Sequence, residues 1–208
     1  MKFISFDLET TGLKSKSNAI TEVAFIKFDG GQVVDKLVSL VNPEQPISQE
    51  ITNITGITED MVKDKPNFKT LAPQISAFIG NDLLVAYNAP YDKGFLNVGF
   101  YNSGIHSHFN ALICAMSLTA KAKGLSYWPK LAEALTLWSI PLEGDNFHRA
   151  EFDAYHNGLI FQKAIESVDP KLLQDLEKQL KIPNEKYEPE LYAAYVLKYG
   201  VPPIKKLK

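Results

Sequence analysis

Phe3-Ile4-Ser5-Phe6-Asp7-Leu8-Glu9-Thr10-Thr11-Gly12 is an apolar run that turns acidic before it ends. Phe3 to Asp7 suits a buried β-strand. Side chains on a strand alternate faces, so Asp7 and Glu9 project the same way from its end. Two carboxylates then share one small space. Like charges in a dry setting raise each other's pKa, so such a pair needs a shared proton or a cation. Gly12 allows the tight turn that leaves this strand end open. Taken alone, the pair also fits a solvated strand edge.

Working outward, Ile20 to Phe28 and Val33 to Val41 read as two further strands joined by the turn Asp29-Gly30-Gly31, which implies antiparallel pairing. After Asn42-Pro43 the period changes. Phe68, Leu71, Ile75, Phe78 and Ile79 form one stripe of an amphipathic helix that Gly80 closes. Leu83 to Tyr87 suits a short buried strand, and Pro90 sits where a helix begins, with Asn88 or Ala89 as its cap. The apolar piece Ala111 to Ala115 precedes helical patterns at Pro129 to Trp138 and Glu151 to Val168. Beyond Pro170, helices are expected over Lys171 to Leu180 and Glu190 to Lys198, with Gly200 and Pro202 closing the second. Strands first, then alternating helix and strand, predict an α/β chain with a mixed sheet covered by helices on its faces.

The chain has 208 residues, 45% hydrophobic and 22% charged, enough for one sizeable domain and too apolar for a disordered tail. No repeat or linker divides it. Its net charge is −2, so no global basic field exists to hold a polyanion, and any nucleic-acid contact must be local. Cys114 is the only cysteine, which excludes an intrachain disulfide and a cysteine zinc cluster. The apolar segments fall far short of the ~20 residues needed to cross a bilayer. Neither a signal stretch nor a span is legible, so a cytoplasmic protein is expected.

On a helix starting near Pro90, Asp92 shares its face with Phe95, Leu96 and Gly99, which turns the carboxylate toward the sheet. A capping carboxylate in the first turn is the plainer account. Asp153 lies in another helical pattern, and His148 precedes it by five residues. That interval is about 500° of helical rotation, so His148 belongs to the preceding loop and not to the same helical face. A lone histidine is often just a surface residue. Arg149, the only arginine, could contact phosphate.

Taken together, Phe6-Asp7-Leu8-Glu9-Thr10-Thr11-Gly12-Leu13, Leu84-Val85-Ala86-Tyr87-Asn88-Ala89-Pro90-Tyr91-Asp92 and His148-Arg149-Ala150-Glu151-Phe152-Asp153-Ala154 resemble the three exonuclease motifs of the DnaQ-like family. That family includes the epsilon proofreading subunit of bacterial DNA polymerase III. Similarity extends through Ile20-Thr21-Glu22-Val23-Ala24, Leu40-Val41-Asn42-Pro43 and Ile54 to Val62, over roughly residues 1 to 168. The interval between His148 and Asp153 resembles the histidine-type (DEDDh) subgroup. Tyr87, Tyr91 and Cys114-Ala115 depart from the family's common residues.

The resemblance implies a ribonuclease H-like fold, a five-stranded mixed sheet with the strand of Asp7 and Glu9 at its centre; the extra C-terminal helices expected beyond Pro170 match no tail of that family. An exonuclease domain over 1–168 and a helical extension over 169–208 packed on it are the expected organisation. It further implies that Asp7, Glu9, Asp92 and Asp153 hold two divalent cations. Ligands that are all oxygen favour Mg²⁺ or Mn²⁺ over zinc. His148 would be the catalytic base, since histidine changes charge near neutral pH. Thr10, Thr11, Gly12, Leu13, Ile54, Thr55 and Asn88 would hold the terminal nucleotide, with Leu13 wedged against a base; Tyr91 or Phe95 could add stacking, although the core suits both better. The implied activity is 3′-to-5′ hydrolysis of single-stranded DNA ends, by a free repair enzyme or a polymerase subunit. An RNA-trimming enzyme with the same chemistry and a non-catalytic binding module on the same fold are the alternatives.

Overall fold

A computed structural model describes residues 1–105, 111–142 and 147–180. Strands β1 (Phe3–Thr10), β2 (Ile20–Asp29) and β3 (Gln32–Leu40) come first, followed by helices α1 (Gln49–Thr55), α2 (Glu59–Val62) and α3 (Phe68–Ile79). Strand β4 (Leu84–Ala86), helix α4 (Ala89–Asn102), strand β5 (Leu112–Cys114) and helices α5 (Ala115–Ala122), α6 (Leu131–Leu137), α7 (Ala150–Ile165) and α8 (Pro170–Leu180) complete the order. The five strands form one sheet in the order β3-β2-β1-β4-β5, with β1 antiparallel to β2 and parallel to β4. This is the five-stranded mixed sheet expected, with the acid-bearing strand in the middle.

A central strand buries both faces, and the alternation of β1 feeds two cores. Ile4, Phe6 and Leu8 join Leu71, Ile75, Leu96 and Phe100 of α3 and α4 on one face. Phe3 joins Leu118, Leu135, Ala154 and Phe161 of α5, α6 and α7 on the other. The ladder pairs Phe3 with Phe28 and Phe6 with Phe25, whose rings stack at 5.0 and 5.3 Å. Burying such a ring contributes about 1.5–3 kcal/mol, and a one-residue slip would turn every one of them to the wrong layer.

Helix α7 approaches the sheet closely because position 158 has no side chain: a Cβ there would lie 2.3 Å from the Phe28 ring. Polar bonds then fix its orientation. Ser5 donates to the Ala154 carbonyl at 2.6 Å, and the Asn157 amide donates to Ser5 Oγ at 2.7 Å and to the Val85 carbonyl at 3.1 Å.

Helices α1, α2 and α5 were not marked by a helical stripe. The first two are short and rest on a small separate cluster of Ile47, Ile57 and Val62, while α5 begins as soon as β5 ends. Helix α6 starts at Leu131 and not at Pro129, and α7 stops at Ile165, short of Val168. The expected helix over Glu190 to Lys198 lies outside the described residues. Among the described residues no helix is long and apolar enough to cross a membrane.

Candidate active site

The carboxyl end of β1 is where the two layers meet. Ser5, Asp7 and Glu9 lie on the side that faces α7, so the strand delivers its two acids toward that helix. Asp92 arrives from the opposite layer. It sits in the first turn of α4, whose cap is Asn88 and whose second residue is Pro90, and it is 2% exposed. Asp153 stands in the first turn of α7, and its Oδ2 accepts the His148 backbone N–H at 3.2 Å.

Burial and mutual charge raise the pKa values of these carboxyl groups together. Burial and the charges of Asp92, Glu9, Asp153 and Glu22 push the Asp7 carboxyl well above the usual carboxylate range. Burial, with Asp153 and Glu22, raises Glu9 to about 8. Asp92 is raised to about 8, chiefly by burial, against the opposing pull of backbone N–H groups. Asp153 rises to about 6, again chiefly by burial. Asp92 Oδ1 and Asp153 Oδ1 are buried without a hydrogen-bond partner among the described residues. Orphaned carboxyl oxygens in a crowded acidic cleft are what a hard divalent cation satisfies, so the donor set fits such an ion. Ligand atoms of Glu9, His148 and Asp153 lie within 4.8 Å of one another, close enough for a shared ion.

The exposed His148 adopts φ +64°, a left-handed conformation that costs a non-glycine residue on the order of 1 kcal/mol. Arg149 follows it as the cap of α7. Its guanidinium reaches Glu22 of β2, with Nε 3.1 Å from Oε2 and Nη2 2.6 Å from Oε1. The suggested phosphate contact is therefore not where this fork points. Sequence reasoning passed over Glu22 as a functional group. Its signal was an acid inside Ile20-Thr21-Glu22-Val23-Ala24, a run buried on both faces.

The residues expected around the nucleotide divide by what their side chains already do. Leu13 is 62% and Ile54 47% exposed, two apolar groups open to solvent. Asn88 is half-buried and makes no capping bond. Thr10 donates to the Gly12 carbonyl at 2.7 Å and lies 2.6 Å from the Tyr91 hydroxyl. Thr11 Oγ1 accepts the Ala19 N–H at 3.0 Å and the Gln45 amide. The Thr55 hydroxyl is taken up locally, donating to the Ile51 carbonyl and accepting the Ile57 N–H. Phe95 is core, Tyr87 donates to the Pro129 carbonyl at 2.6 Å, and Cys114 is buried.

Residues 4–161 match the exonuclease family model RNase_T. The chain belongs to this exonuclease family. Among its relatives, the PolC-type DNA polymerase III of Oceanobacillus iheyensis is 34% identical over 191 residues, 91% of this chain but 13% of that protein. The PolC-type enzyme of Bacillus cereus is 34% identical over 170 residues, 81% of this chain and 12% of that protein. The chain thus spans only a small part of these relatives. Among solved structures, exonuclease X with a 5′-overhanging duplex DNA superposes at a TM-score of 0.68 with 24% identity, over 84% of this chain and 99% of that one. Escherichia coli exonuclease I with a dT13 oligonucleotide gives 0.70 with 20% identity, over 84% of this chain and 43% of that one. These likenesses establish the fold, and they agree with the ribonuclease H-like architecture of the exonuclease family.

Proposed function

We propose that this exonuclease-family chain removes nucleoside 5′-monophosphates one at a time from the 3′ end of single-stranded DNA, in the cytoplasm, as a polymerase's proofreading partner or as a free repair enzyme. The observation that supports this reading most directly is the group of Glu9 from the central strand with His148 and Asp153 from the start of α7, ligand atoms within 4.8 Å of one another; the charges of Asp92 and Asp153 acting on the Asp7 carboxyl are consistent with all four acids sharing the cleft. The four acids would hold two Mg²⁺ or Mn²⁺ ions. When bound, such ions activate a water and stabilise a leaving oxygen.

The chain's own residues supply the rest. His148 stands next to Glu9 and Asp153, where its imidazole takes the proton of the attacking water. Leu13 and Ile54, exposed and apolar, bear on the base and sugar of the terminal nucleotide, and Asn88 stands at the head of α4 with an amide that makes no capping bond. The described part of the expected extension, α8, lies against β5 and α5, which supports its packing on the same domain; residues 181–208 lie outside the described residues.

The test is incubation of 5′-labelled and 3′-labelled oligonucleotides, as DNA and as RNA, with Mg²⁺ or chelator. Stepwise shortening of 5′-labelled DNA that chelator stops supports the reading. Faster trimming of RNA would transfer the assignment to an exoribonuclease, and no metal-dependent cleavage of either would remove it. Co-elution with a polymerase subunit separates the proofreading partner from the free enzyme.

A further inference from the structure

The strand register sets Glu9 of β1 directly opposite Glu22 of β2. Like charges facing each other across two strands are destabilising, and the Glu22 side chain is only 3% exposed. Its negative charge is met from outside the sheet. The Arg149 guanidinium binds both carboxylate oxygens, and the Ala150 N–H adds a third bond to Oε2 at 2.9 Å. A planar fork on a buried carboxylate fixes direction as well as distance, which a flexible ammonium does not.

This fork sits between His148, at the end of the entry loop, and Asp153, in the first turn of α7. His148 is the residue before Arg149, held in a left-handed backbone conformation with its N–H on Asp153. Asp153 is one turn after it, and its own N–H donates to the Arg149 carbonyl at 3.1 Å. The segment is thereby pinned to β2 next to Glu9. We propose that Arg149 is a positioning residue whose pairing with Glu22 holds His148 in its strained, site-facing conformation. In this role it acts through His148 and not on substrate or metal, so the inference rests on the exonuclease reading.

A neighbouring ion pair provides the control. Lys36 of β3 meets Glu151 at 2.7 Å in the same first turn of α7, but both side chains are exposed, at 60% and 47%. If any tether sufficed, the two pairs would matter equally.

Steady-state hydrolysis of a single-stranded oligonucleotide is compared for the wild type, Arg149→Gln, Arg149→Lys, Glu22→Gln, Lys36→Met, His148→Ala and the doubles. Arg149→Gln is expected to lower kcat by ~10–100-fold with KM held within about 3-fold, and Arg149→Lys to recover part of the loss. Lys36→Met should stay within about 2-fold. Residues acting as a unit are non-additive, so Arg149→Gln should add little to His148→Ala or to Glu22→Gln. In the metal-free protein, backbone amides of residues 147–153 should exchange faster in Arg149→Gln. A raised KM with unchanged kcat would make Arg149 a phosphate contact instead. Full multiplication of its effect onto His148→Ala, or a lower thermal midpoint with kcat of the folded fraction unaltered, would also overturn the proposal. Failure of the wild type to hydrolyse any nucleic acid would sink the exonuclease reading alone, because the exchange experiment still reports on the clamp.

Discussion

Asp7 and Glu9 reach the site on a strand whose backbone is bonded to β2 on one edge and, over its first part, to β4 on the other. His148 and Asp153 reach it on the entry loop and first turn of α7, held to the sheet by side chains: Arg149 on Glu22, Ser5 on Ala154, and Asn157 on Ser5 and Val85. The first half is fixed by peptide groups that no substitution removes. The second half depends on side chains, these polar contacts together with the apolar packing of Ala154 and Phe161. Substitutions in the strand half should therefore strike chemistry and spare the fold, whereas those in the helix half should couple the two.

The largest effect is expected for Asp7→Ala, which should bring hydrolysis to background while the circular dichroism spectrum and thermal midpoint are retained. Near-normal turnover would break the assignment of the strand acids. His148→Ala should slow the reaction by about 10²–10⁴-fold, with Mn²⁺ binding retained by calorimetry, if the imidazole is the base. Asn157→Leu tests the helix half without touching an acid. Losing its bonds to Ser5 and Val85 should cost about 1–3 kcal/mol in urea unfolding, and unchanged stability would mean α7 is held by apolar packing alone.

The smallest expected effect concerns charge. Asp92 is raised to about 8 in the fold from an ordinary value of 3.8, so the folded protein binds this proton more tightly than the unfolded chain. Its stabilising contribution is complete below the unfolded value and disappears as pH climbs through about 8. At pH 8 with chelator, Asp92→Asn should be more stable than the wild type by at least about 1 kcal/mol, and the difference should vanish near pH 4. For the same reason cation affinity should rise between pH 6 and about 8, as Asp153, then Glu9 and Asp92, give up protons. A pH-independent affinity would show that the acids are not crowded in solution.

The strand half was also the legible half. Alternation along Phe3 to Glu9 is a local property, so the sequence alone marks which residues share a face; the turn at Asp29-Gly30-Gly31 likewise fixes the β2–β3 hairpin, and the sheet came out with the expected strands in the expected mixture. The helix half depends on approach from a distance. Nothing local tells that Arg149 meets an acid 127 residues away, or that the absence of a side chain at 158 admits the Phe28 ring. Helices α1 and α2 escaped notice because their few turns carry too little apolar stripe to show a period. Tyr91 drew attention as a ring, yet its distinguishing contact is the hydroxyl, which braces Thr10 and the Gly12 carbonyl at the base of the Leu13 loop.

β1 ends at Thr10 and α7 starts at Ala150, so the proposed acidic cluster draws on segments far apart along the chain. During synthesis the first two acids emerge long before the helix that completes their cluster. A nascent chain with α7 still inside the ribosome has not yet brought Asp153 to the sheet, and the proposed metal site is complete only once that last layer docks.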